Sequence, residues 1–304
     1  MKPMISVVLP NYNYGHYIQE ALESLIEQTY KNFEVIIVDD CSTDHSLEVI
    51  RPYIEKDNRF SLIVNEKNLG CHASVTKGLQ KIQGEFYFGF ASDDKILPNF
   101  FEEYIKAIKE HPNLPLFCSR HVCFHSEAPE ERVMSSLQLQ YEAMTLNRES
   151  LLYQIKTHRF FIPGNTALVK KETLEEFGYF DDKFGSLADW FTLHRIGFKY
   201  GCYFIPKTLA LMRIHKASLS GAEKIEKKWI AWSNVIQELS KPQNKFYKEA
   251  FVRSHIFNTL GFHFFEFILK RPRYWLFFKL YVYKHFYKRW KKHKKAQVQT
   301  DLKT

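Results

Sequence analysis

The run YFGFASDDKILPNFF, residues 87–101, sets two adjacent carboxylates, Asp93 and Asp94, at the end of an aromatic, apolar segment. Like charges repel, and burying either one unpaired costs on the order of several kcal/mol. The pair is therefore either a solvated turn or the seat of something positive. A second acidic pair, Asp39 and Asp40, ends the apolar run FEVIIVDD, and the first apolar run ends in Pro10, Asn11, Tyr12 and Asn13. Carboxylates in such places suit Mg²⁺ or Mn²⁺, which prefer carboxylate oxygens and keep waters and substrate phosphates in their shells. The glycine-rich phosphate cradles are missing. The first turn reads PNYNYGH where a dinucleotide site would need GxGxxG, and no GxxxxGK[ST] occurs. A phosphate-bearing ligand here needs a metal to offset its charge. No cysteine or serine stands in an activating context, so no protein nucleophile is indicated.

These residues require elements to carry them. MISVVLP is a short β-branched run stopped by Pro10, and GHYIQEALESLIEQTY carries Ile18, Leu22, Leu25 and Ile26 at helical spacing. FEVIIVDD reads as a strand buried on both faces, STDHSLEVIRPYI as a helix with good capping residues, RFSLIVNE as a strand. SVTKGLQKIQG is a further helix ending near Gly84, and EFYFGFAS a fourth strand. This strand–helix alternation predicts an α/β, doubly wound sheet, whose ligands gather at the carboxyl ends of the strands. Pro10 to Asn13, Asp39, Asp40, Asp93 and Asp94 all stand at those ends. Beyond residue 112 the pattern is less regular: PLFCSRHVCF reads as a strand, 126–136 as a polar stretch, and GNTALVKKETLEEFG as strand then helix. SLADWFTLHRIG puts Asp189 at a helix start, and TLALMRIHKASLS is a strand leading into a polar loop.

At 304 residues with 45% apolar residues, the chain can bury a large core. Its five cysteines form no CxxC pair, and the odd number argues for reduced thiols and a cytoplasmic location. The apolar run at the N-terminus is too short for a signal-peptide core. The net charge of +9 is local: residues 270–295 hold eleven Lys or Arg and no acid, so the rest of the chain is slightly acidic. Nucleic-acid binding is not expected on that distribution.

The blocks SVVLPNYNYGHYIQEALESLIEQTYKNFEVIIVDDCSTD, NEKNLG, FASDD, PGNTALVKKETLEEFGYFDDKF, LADWFTLHRIG and LMRIHKASLS, in this order over residues 4–221, resemble the inverting family-2 glycosyltransferases of GT-A fold. The resemblance implies a mostly parallel sheet flanked by helices over residues 1–225. Its nucleotide-sugar half would be about 1–112 and its acceptor half about 113–225, with a helical, basic amphipathic extension over 226–304. It implies that Pro10, Tyr12, Asn13, Asp40 and Thr76 line the nucleotide pocket, that Asp93 meets the ribose or bridges to the metal, and that Asp94 and His215 bind Mn²⁺ or Mg²⁺. Asp189 becomes the general base that strips the acceptor hydroxyl, with Gly164, Asn165 and Trp190 on the acceptor side. The implied reaction is transfer from a nucleotide sugar, a UDP-sugar, to a glycan or lipid-linked acceptor in bacterial surface-polysaccharide synthesis. Four positions depart from the family pattern: Ala91 replaces an acid, Val75 and Thr76 replace an Arg-Asn pair, and Ala188 replaces an acid before Asp189.

Plainer readings stand beside these. Asp39 and Asp40 alone would be a solvated turn, Asp189 a helix cap, His215 a surface histidine, and His72, His121 and His125 structural or exposed. Asp181 and Asp182 are rivals for the base and read as a turn. Rival functions are a nucleotidyltransferase and a non-catalytic nucleotide-sugar or glycan-binding module. The aromatic, basic stretch 266–295 predicts peripheral attachment to an anionic membrane surface on the cytoplasmic side; the alternative is a helical cap packed on the domain.

Overall fold

The computed structural model describes residues 4–134, 142–215, 224–271 and 274. Strands β1 (Ile5–Asn11), β2 (Phe33–Asp39), β3 (Phe60–Val64) and β4 (Phe86–Gly89) alternate with helices α1 (Gly15–Ile26), α2 (Ser46–Lys56) and α3 (Cys71–Leu79). All four strands run parallel, in the order β3-β2-β1-β4. Successive side chains of a strand point to opposite faces, and the sequence obeys this. Ile5, Val7 and Leu9 of β1 join Val35 and Ile37 of β2 in a core under α1, α2 and α4 (Phe100–Glu110), while Val8, Ile36 and Val38 join the core on the other face with α3. The doubly wound, mostly parallel α/β sheet expected from the alternation is present.

The second half widens the sheet. Strand β9 (Leu168–Lys170) enters antiparallel between β4 and β6 (Leu116–His125). Strand β10 (Cys202–Ile214) pairs parallel to β6, and β5 (Lys95–Ile96) pairs antiparallel to β10. The polar stretch near 126–136 contains a strand, β7 (Ala128–Met134), which pairs back on β6. β8 (Met144–Leu146) and α5 (Arg148–His158) form in a segment where no element was expected. The signal was local: Asn147 caps α5 by accepting from the Ser150 backbone N–H at 3.0 Å. Helices α6 (Lys171–Glu176) and α7 (Ala188–Tyr200) follow as read.

Helices Ile225–Ser240, Lys245–Ser254 and Gly261–Leu269 complete the described chain. Trp232, Val235, Ile236, Phe251, Phe257, Phe264, Phe267 and Tyr274 are buried in the same core as Phe191 and Phe198 of α7. To Tyr274, then, this region caps the domain. The greater part of the tail expected to meet a membrane, residues 275–295, lies outside the described residues, as does the polar loop 216–220 after His215. All five cysteines are free. Among the described residues no helix is long and apolar enough to cross a membrane.

Candidate active site

Strand pairing brings the candidate residues of the first half together. β1 and β2 lie in register with Asn11 opposite Asp39, which brings the first turn against the acidic pair. Asp39 is fully buried and bound within the protein: it accepts from Asn11 Nδ2 at 2.8 Å and from Ser42 N and Oγ at 2.9 and 2.7 Å. Asn13 adopts φ 55°, a left-handed conformation that asparagine tolerates, and its Oδ1 accepts from Thr43 N at 2.7 Å. Asn13 thus shapes the turn, while its neighbour Tyr12 stays 44% exposed. Ser92 Oγ donates to the Pro10 carbonyl at 2.5 Å, tying the β1 turn to the loop after β4.

Asp40 is a buckle. Its carboxylate accepts from Asn65 Nδ2, Leu69 N and Gly70 N, each at 2.8 Å. Burial works against its charge, yet these bonds and the Ser74 hydroxyl prevail and hold the carboxyl below its ordinary range. Lys77 Nζ donates to Asn65 Oδ1 at 2.8 Å, extending the chain of bonds along α3. Ser74 and Lys77 are therefore the residues of this helix that serve the clamp, while Thr76 stands half-buried beside them.

The Asp93–Asp94 pair answers the question its sequence raised. Both are nearly fully buried. Arg213, on β10, binds the tip in two ways: its backbone N–H donates to Asp94 Oδ1 and its Nε donates to the Asp93 carbonyl, both at 2.9 Å. The pairing of β5 with β10, Lys95 opposite Leu211, sets that register. The guanidinium lies between the rings of Tyr17 and Phe124, 4.7 and 4.5 Å from their centroids, and reaches Glu20 Oε1 at 3.0 Å. His215 Nε2 is 2.8 Å from Asp93 Oδ2, with its ring against Tyr14 and Tyr17. Burial nevertheless pushes the Asp94 carboxyl well above its usual range, as does the Asp93 charge; Arg213 and the Asn165 amide oppose this without overcoming it. The Arg213 guanidinium therefore does not offset the burial of two adjacent carboxylates. Period-2 alternation puts Arg213 on the same face as His215, and that spacing is its signal in the sequence.

Asp189 lies in the first turn of α7, whose cap is Leu187, so it is not the capping residue. Its Oδ1 accepts from Trp190 N at 2.7 Å. Burial raises its carboxyl above the ordinary range; the Trp190 N–H and the neighbouring His72 only moderate this. Gly164, in the turn Gly164–Thr166, abuts it so closely that a Cβ there would lie 2.1 Å from Asp189 Oδ2. Trp190 turns its ring toward His194, Phe251 and Phe257, which is a packing role. Asp182 lies 3.6 Å from His72 Nδ1, and Asp181 accepts from Lys183 N at 3.0 Å in its own turn. His121 is buried and held toward the neutral form by desolvation.

Cys71, at the start of α3, has its thiol pushed up to about 12 by burial and then by the charges of Asp189, Asp40, Asp182 and Asp93. Gly164 abuts Asp189 and the next residue, Asn165, turns toward Asp94, so the candidate base and the strand-end carboxylates flank one short segment.

Among the described residues no group of three or more His, Cys, Asp or Glu closes round one point as a cage. Two buried carboxylates with an imidazole beside them are donors of the kind that fit Mn²⁺ or Mg²⁺ if phosphates and waters complete the shell.

The profile of the family described as glycosyl transferase family 2 matches residues 6–178. The provisionally named teichuronic acid biosynthesis glycosyltransferase TuaG of Bacillus subtilis strain 168 is 25% identical over 237 residues, covering 77% of this chain and 89% of that protein. The crystal structure of Staphylococcus aureus TarS 1–349 in complex with UDP-GlcNAc aligns with a TM-score of 0.65 at 20% identity, over 82% of this chain and 72% of that one. The mannosyltransferase PcManGT of Pyrobaculum calidifontis, in complex with GDP-Man and Mn²⁺, aligns with a TM-score of 0.60 at 18% identity, over 84% and 70%. Those two likenesses concern the fold, which is GT-A. With the profile spanning more than half of its length, this chain belongs to glycosyl transferase family 2.

Proposed function

We propose that the protein transfers a sugar, with inversion, from a UDP-sugar to a hydroxyl of a glycan or lipid-linked acceptor during assembly of a surface polysaccharide. The observation that carries this reading is the juxtaposition of two consecutive residues with the two acids: Gly164 abuts the half-buried Asp189 carboxylate and Asn165 turns toward Asp94, which sets the candidate base beside the strand-end acids. Tyr12 would stack on the base, and the Pro10 turn and Asp93 would border the ribose. Asp94, Asp93 and His215 would hold Mn²⁺ or Mg²⁺, which, when bound, offsets the charge on the departing nucleoside diphosphate. The chain's own part is to orient both substrates and to move one proton. Asp189 accepts the acceptor's hydroxyl proton as its oxygen attacks the anomeric carbon from the face opposite the nucleotide. A single displacement of that kind inverts the centre and needs no protein nucleophile. TarS with UDP-GlcNAc and PcManGT with GDP-Man and Mn²⁺ support the donor class, and TuaG supports a surface-glycan acceptor.

The same proposal places the protein against an anionic membrane face through residues 266–295, where the chain's cations and aromatics concentrate.

The test is a thermal-shift series with UDP, GDP and UDP-GlcNAc, each with Mn²⁺ or EDTA, followed by assay of released nucleotide. At saturating ligand, about 100 times Kd, UDP with Mn²⁺ should raise Tm by about 5 °C. An equal shift in EDTA would remove the metal from the proposal. Release of pyrophosphate from UTP, with no UDP from any sugar donor, would make the protein a nucleotidyltransferase instead.

A further inference from the structure

A five-residue segment, Ile162–Thr166, touches both sides of the cleft, and a histidine that the reading above does not use fastens it. His194 lies on α7, five residues after Asp189, and is fully buried. Its Nδ1 lies 2.7 Å from the Trp190 carbonyl, and the Ile162 backbone N–H donates to its Nε2 at 3.1 Å. A carbonyl can only accept and an N–H can only donate, so the two bonds together fix the Nδ1–H tautomer. Burial holds the ring neutral, with a pKa lowered to about 4.

The consequences run along the segment. Pro163 follows with its fixed φ, and then Gly164, whose Cα faces the Asp189 carboxylate with no room for a side-chain atom. Asn165 turns its buried Nδ2 toward Asp94 without closing an ordinary hydrogen bond, and its dipole favours that carboxylate's charge. Thr166 anchors the far end: Oγ1 donates to the Ser119 carbonyl at 3.0 Å, and the Thr166 carbonyl accepts from the buried Tyr104 hydroxyl. One side of the segment thus meets the candidate base, the other the metal-side carboxylate, and each end is pinned to a buried group.

We propose that Ile162–Thr166 is the spacer that sets Asp189 against Asp94, and that His194 is the positioning residue that fixes its register on α7. This rests on the assignment of Asp189 as base. His194 touches neither substrate nor metal; it acts through Gly164 and Asp189.

The test compares His194→Leu, which fills the space but offers no acceptor, with His194→Gln, whose Oε1 can reach the Ile162 N–H. Hydrogen exchange of the Ile162 amide, read by mass spectrometry or NMR, needs no substrate. Exchange should accelerate at least tenfold in the Leu variant and stay close to the parent in the Gln variant. With UDP-GlcNAc and Mn²⁺, release of UDP should fall about tenfold to a hundredfold in kcat for His194→Leu, since a misplacement near 1 Å costs that much. KM for the donor should stay within about twofold, and His194→Gln should recover to within about threefold. Unchanged kcat in His194→Leu, or a Gln variant no better than Leu, overturns the proposal. Failure of the base assignment is separate: it appears as Asp189→Asn retaining kcat, whatever His194 does.

Discussion

Replacing Gly164 with alanine tests the base geometry with one methyl group. The backbone at Gly164 is not left-handed, unlike that at Gly70, Gly178, Gly185 and Gly201, so alanine fits its φ without strain. The new Cβ would lie 2.1 Å from Asp189 Oδ2, where real contacts stay above 3.0 Å. Thr166 holds the Gly164 side against Ser119, so the Asp189 carboxylate must yield by about 1 Å, straining its bond from the Trp190 N–H. That rotation takes Asp189 off its rotamer at about 0.5–1.5 kcal/mol, so Tm should fall by only a few degrees. Catalysis is more sensitive. A displacement of about 1 Å in the group that takes the proton should lower kcat about 100-fold, equivalent to about 2.7 kcal/mol of transition-state stabilisation. Under the proposed function donor binding should be untouched, because the new methyl group meets Asp189 and not the Tyr12 and Pro10 turn assigned to UDP. Steady-state assay of UDP release gives kcat and donor KM together, and a melt in parallel reports the fold. If Gly164→Ala keeps kcat within twofold while remaining folded, Asp189 is not the proton acceptor in this geometry.

Further outcomes follow from the same contacts. Asp189→Asn should abolish transfer yet bind UDP with Mn²⁺ within about threefold of the parent. In the parent, the acid limb of kcat/KM should fall above the ordinary carboxylate value of about 3.9, since the base must be ionised and burial raises its pKa; a limb at or below that value counts against the assignment. Asp40→Asn should cost about 2 kcal/mol of stability near pH 7 in urea melts, because amide hydrogens then face the Leu69 and Gly70 donors. The folded pKa of Asp40 is lowered, so its contribution is present above the unfolded value and is lost as pH falls through the folded one. Parent and variant should therefore converge in acid, and a constant gap contradicts the buckle. Truncation after Tyr274 should leave the melt unchanged, since the buried cap is retained, but should abolish flotation with vesicles rich in anionic lipid; equal flotation removes the tail from membrane attachment.

The chain's order of elements determined most of the fold. Continuous apolar runs such as FEVIIVDD can bury both faces only in a sheet covered on both sides, and the polar residues that end them must then gather along one edge. Asp39, Asp40, Asp93 and Asp94 were legible for that reason, as was Asp189 at a helix start. The segment 142–158 escaped because α5 has no clear apolar stripe; its Asn147 cap was the one clear mark.

Tertiary structure alone decided what each carboxylate does. Asp39 and Asp40 look alike in sequence, yet each is bound by a different loop, and neighbours distant in the chain settle the matter: Asn11 for one, Asn65 and Gly70 for the other. Arg213 reaches Asp94 across 119 residues, and His194 reaches Ile162 across 32. Local pattern reports how a residue sits on its own strand or helix, because that depends on backbone period. Which charge is compensated, and which side chain fixes another, depends on how separate elements pack, and short-range spacing carries no record of that distance.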